Sequence, residues 1–91
     1  MIVVCVDDHP IMLSGLMRNV KQLLPNARIV AFANADDAFC FAKDNGCDVL
    51  ISEIELCGVD GLTLAKEIKK INSQVNIIFL KINSKFFMLF N

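Results

Sequence analysis

Ninety-one residues, 55% of them hydrophobic and 21% charged, make one small globular domain and exclude both a two-domain arrangement and intrinsic disorder. A net charge of −1, with Lys and Arg scattered rather than striped, gives no electrostatic footprint for a phosphate backbone, so direct nucleic-acid binding is not expected. The short apolar start before Asp7 has no basic lead of a signal peptide, and Phe86 to Phe90 falls far below the about 20 apolar residues that cross a bilayer, so a cytoplasmic protein without membrane association is expected.

In chain order, Ile2 to Val6 is a continuous β-branched run, the pattern of a parallel strand covered on both faces. Pro10 suits the first turn of a helix, and Leu13, Leu16, Met17, Val20, Leu23 and Leu24 recur at helical spacing, predicting a helix over 10–24 that stops at Pro25. Arg28 to Phe32 reads as a second strand. Asn34 can cap a helix with Asp36 and Asp37 in its first turn, and Gly46 ends it. Val49 to Glu53 is the third strand. Asp60 can cap a helix over 61–71 with Leu64, Ala65, Ile68 and Ile71 inward, and Val75 to Leu80 is the fourth strand, ending in Lys81. Strand and helix thus alternate three times before a final strand, which implies right-handed crossovers and an α/β parallel sheet with helices on both faces. Residues 82–91 show neither helical stripe nor strand alternation and are expected to be an irregular apolar tail beyond a domain of residues 1–81.

Open parallel sheets gather functional groups beyond the carboxyl ends of their strands, where Asp7, Asp8 and Glu53 all fall. Carboxylates crowded there raise one another's pKa unless a cation neutralises them, and a hard, oxygen-preferring ion such as Mg²⁺ would do so. His9, alone before Pro10, reads as a loop residue. Cys5, Cys40, Cys47 and Cys57 form no CxxC pair and read as reduced, mostly buried thiols.

Asp7-Asp8-His9-Pro10, the strand Asp48 to Glu53 and the loop ending Gly58-Val59-Asp60-Gly61 resemble the receiver domain of bacterial two-component response regulators. The resemblance covers residues 1 to about 81 and implies a flavodoxin-like sheet, here incomplete, with four strands in the order 2-1-3-4 and three helices. It also implies an acidic pair that binds Mg²⁺ (Asp7 and Asp8, with Glu53 and the backbone carbonyl of Glu55) and a phosphoacceptor position at the end of the third strand. A hydroxyl that senses the phosphoryl group is implied at the end of the fourth. Here those two positions hold Glu53 and Lys81, Cys57 stands where Pro is usual, and the family's fifth strand with its Lys and the last two helices have no counterpart. A phosphoryl group is therefore not expected on Glu53, and the Mg²⁺ site is expected to be weak. The expected protein is a truncated, non-enzymatic receiver-like module of phosphorelay signalling that acts by binding a histidine kinase, another response regulator or itself. Self-association is expected through the open edge of the fourth strand and the apolar tail. The alternative is a small Mg²⁺-dependent phosphoryl-transfer or phosphatase-like enzyme using Asp7 and Asp8.

Overall fold

The apolar run Ile2–Val6 forms strand β1 at the heart of the sheet, with Val3, Val4, Cys5 and Val6 fully buried because both faces of the strand are covered. The computed structural model describes residues 1–56, 60–81 and 86–90, the last group and Lys81 by their backbone alone. Around β1 follow α1 (Pro10–Leu23), β2 (Arg28–Phe32), α2 (Ala35–Asn45), β3 (Val49–Glu53), α3 (Gly61–Ile71), β4 (Asn76–Lys81) and β5 (Phe86–Phe90). β1 pairs in parallel with β2 and β3, and β3 with β4, which is the doubly wound order 2-1-3-4.

Local chemistry sets the helix boundaries. Pro10 sits at the start of α1, where a missing N–H is tolerated, and Leu24 closes that helix by donating its N–H to the Val20 carbonyl at 2.8 Å. The Asn34 side chain accepts from the Asp37 N–H at 2.8 Å and the Asp60 carboxylate from the Thr63 N–H at 2.7 Å, so α2 and α3 begin at the caps their sequences indicate. Gly46 ends α2 with a φ of 92°, in the left-handed region that favours glycine.

Alternation along the strands sorts the core into two layers. Val4, Val6, Leu50, Ile77 and Phe79 face α2 and α3, packing on Ala38, Leu64 and Ile68. Val3, Cys5 and Ile51 face α1, with Val20, Leu16 and Met17 above them. Leu23, Leu24 and Ile71, expected in the inward stripes, are corrected to surface positions in the last turn or C-cap of their helices. Cys5 and Cys47 are buried free thiols and Cys40 an exposed one, while Cys57 lies outside the described residues. Burial, reinforced by the neighbouring Cys47, pushes Cys5 up to about 12; burial and the charge of Asp48 push Cys47 to about 11.

The expected irregular tail is corrected. Phe86–Phe90 is a fifth strand, antiparallel to β4, with Phe86 opposite Lys81 and Phe90 opposite Ile77. A run of aromatic and apolar residues suits a strand, and the outer edge of β4 is a row of backbone donors and acceptors ready for a partner. An antiparallel neighbour needs no crossover helix, so residues 82–85 suffice as the connection. The open β4 edge through which self-association was expected is therefore filled by the chain's own β5. Among the described residues no helix is long and apolar enough to cross a membrane.

Candidate functional site: an acidic rim at the carboxyl end of the sheet

Register brings two of the acids together. Val6 of β1 is level with Ser52 of β3, so the next residues, Asp7 and Glu53, leave the sheet side by side. Asp7 is 2% exposed and Glu53 4% exposed, both far more buried than carboxylates usually are. The backbone of Asp7 is tied to β2, its N–H donating to the Phe32 carbonyl at 3.2 Å.

The end of β3 is fixed from three directions. Glu53 pairs with Leu80 of β4, and the next N–H, that of Ile54, donates to the Leu80 carbonyl at 3.2 Å. The Ser52 hydroxyl donates to the Glu53 carbonyl at 2.9 Å. From the third side α3 arrives, its Gly61 N–H donating to the Ile54 carbonyl at 2.7 Å. A Cβ on Gly61 would overlap the Glu53 carbonyl oxygen and stand 3.2 Å from the Glu53 carbonyl carbon, so only glycine permits this approach.

His9, set aside in the sequence as a loop residue, belongs to the rim. Its Nδ1 lies 2.8 Å from Asp7 Oδ1 and 3.0 Å from Asp8 Oδ1, and its backbone N–H donates to Asp7 Oδ1 at 2.9 Å. The hydrogen bond to Asp7 raises the imidazole above its usual pKa; partial desolvation works against this, and the charges of Asp8, Asp7 and Glu53 add to it. The available signal in the sequence was contiguity: a histidine directly after two acids and before a helix-opening proline turns back over the strand end it has just left.

Asp8 is partly exposed beside Asp7, and Glu55 lies exposed in the bend after β3. Lys81 ends β4 one residue past Leu80, the partner of Glu53. Its side chain, like Cys57, Gly58 and Val59, lies outside the described residues. The donor chemistry of Asp7, Asp8 and Glu53, oxygen-only carboxylates at one strand-end rim, fits a hard divalent ion.

Comparison with known proteins agrees with this geometry. The model of the response regulator receiver domain family matches residues 3–89. The Fimbriae Z protein of Salmonella typhimurium is 35% identical over 89 residues, covering 93% of this chain but 40% of that protein, so the chain spans well under half the length of that relative. The response regulator TrrA of Thermotoga maritima, solved with Mg²⁺-BeF, superposes with a TM-score of 0.80 at 28% identity over 91% of this chain and 70% of that one. A structure of the histidine kinase ThkA in complex with TrrA matches with a TM-score of 0.78 at 27% identity, over 93% of this chain and 72% of that one. The β1 and β3 ends, the acidic rim and the family match over almost the whole chain together make this protein a member of the response regulator receiver domain family.

Proposed function

We propose that this receiver domain is a docking module of a two-component pathway that does not accept a phosphoryl group at Glu53. The observation that carries the reading is how closely the β3 end is held by its neighbours. Pairing to Leu80, the Ser52 hydrogen bond and the close approach of Gly61 leave the Glu53 backbone no room to retreat. The extra methylene of Glu relative to Asp therefore moves the carboxylate outward by roughly 1 Å, a misplacement that costs about 10²-fold in a reaction dependent on positioning. Phosphoryl transfer depends almost wholly on positioning and charge stabilisation, so a carboxylate displaced from the acceptor position is poorly placed for it.

Mg²⁺, when bound at such a rim, neutralises the charge that develops on a transferring phosphoryl group. Asp7, Asp8 and Glu53, with the Glu55 carbonyl, would hold it. Glu53 then stands as a carboxylate at the acceptor position.

Docking is the activity that remains. The outer face of α1 offers a shallow hollow of about 380 Å³ lined by Pro10, Ile11, Ser14, Gly15 and Arg18, with Ile11 86% exposed beside it. An apolar anchor with a neighbouring cation suits a helical partner surface such as that of a histidine kinase, or another response regulator. Self-association is the second binding mode, through the outer edge of β5.

One experiment reads both halves of the proposal. The chain is mixed with an autophosphorylated histidine kinase, or with acetyl phosphate and Mg²⁺, and weighed intact, while kinase binding is followed by calorimetry. Binding that Ile11→Glu weakens, without a phosphoryl adduct, is expected. A stoichiometric adduct on Glu53, or no binding to any kinase of the native cell, overturns the corresponding half.

A further inference from the structure

α1 roofs only part of its face of the sheet. With strands about 4.8 Å apart and a helix about 10 Å wide, one helix covers two strands, and α1 packs on β1 and β2. Beside it, on the same face, Val49 and Ile51 of β3 and Ile78 and Leu80 of β4 form an apolar floor one helix wide.

The wall of this slot is apolar as well. A β1–α1–β2 crossover is right-handed, so the flank of α1 turned towards β3 carries Met12, Leu16, Asn19 and Leu23. Met12 is 47% exposed there and Leu23 78% exposed. Spacings of four, three and four residues are those of a two-stranded helical seam, in which a single polar position such as Asn19 fixes the register at some cost in stability. The charges of α1, Arg18 and Lys21, lie well away from the stripe, so two copies of it meet without opposing like charges. A second α1 therefore suits both wall and floor. Its stripe matches the wall, and its outer face brings to the floor Ile11, 86% exposed, and Gly15, where a Cβ would meet nothing within 4 Å.

We propose that two copies of this chain pair about a two-fold axis along the strands, each α1 lying in the other's slot over β3 and β4 with the two Met12, Leu16, Asn19 and Leu23 stripes in parallel contact. The inference rests on the self-association in the proposed function and gives it a surface separate from the β5 edge. The pairing covers Ile11, so a paired copy has no free α1 hollow for a kinase. Association and docking exclude each other.

Cross-linking of the full chain with diamide, in a Cys40→Ser, Cys57→Ser background, tests it. Asn19→Cys, next to the axis, is expected to give a disulfide-linked dimer at least about tenfold faster than Lys21→Cys on the far side of the same helix. In sedimentation equilibrium Leu23→Lys should weaken the dimer about tenfold or more, and Asn19→Leu should tighten it by about the same factor. Met88→Lys in β5 should leave the Asn19→Cys cross-link in place. Equal cross-linking at the two positions, or a dimer indifferent to both Leu23→Lys and Asn19→Leu, overturns the seam. If Met88→Lys then disperses the assembly, the β5 edge stands as the contact and only the seam falls; a monomer at every concentration removes both.

Discussion

Asp7 is the residue on which the rim turns, because a carboxylate 2% exposed must be answered by a donor, and His9 supplies two of them. His9 is the chain's one histidine, so its ring resonances report this pair without assignment ambiguity. The native imidazole titrates above the 6.5 of a free one, chiefly through its hydrogen bond to Asp7. A raised native pKa means the folded state holds the proton more tightly than the unfolded chain. The pair's contribution is thus complete below about pH 6.5 and is lost as pH rises through the native value. NMR titration should place His9 above 6.5, and Asp7→Asn should return it towards that value; an unshifted His9 in the native protein would contradict the pairing. The acids were legible in the sequence because strand ends point to a rim. The engagement of His9 was not, since a side chain turning back over its own strand depends on χ angles that spacing does not encode.

Among the elements, α3 is the one whose first turn meets the end of β3. Its inner residues Leu64, Ala65 and Ile68 are buried, and its cap Asp60 is held low in pKa by accepting from the Thr63 N–H. Yet Gly61 is what lets its first turn reach the β3 end. Gly61→Ala introduces a methyl group against backbone that cannot yield, and should destabilise the fold by about 1–3 kcal/mol, read as a lowered urea midpoint at unchanged slope. A neutral result would mean α3 can slide, which would also free Glu53. Three helices and four strands were readable because 3.6-residue stripes and β-branched runs carry their own period. The register that sets Asp7 beside Glu53 was readable only as an expectation, and β5 was not: Phe86 to Phe90 has no alternation, and its pairing partner is chosen by the vacant edge of β4 rather than by its own pattern.

At the scale of the whole molecule the sheet is covered unevenly. α2 and α3 pack over one face, while α1 lies over β1 and β2 on the other, leaving Ile78 and Leu80 of β4 only partly buried. Such apolar surface beside the outer edge of β5 favours a second molecule. Light scattering at high concentration is expected to show a dimer or larger assembly, and Met88→Lys, a charge in the edge strand, to shift it towards monomer. A monomer at all concentrations would remove self-association from the proposed function.

The antiparallel seating of β5 also bears on how the chain folds. Each parallel neighbour in this sheet is reached across a helix, so a long loop must close before any strand bond forms. β5 is separated from β4 by residues 82–85 alone, and a hairpin of that kind forms in about 1–10 μs. Another molecule at micromolar concentration, associating at about 10⁶ M⁻¹s⁻¹, arrives on the order of a second later. The nascent edge of β4 is therefore closed by its own chain long before a neighbour can reach it, so the strand edge met by a second molecule is that of β5 rather than that of β4.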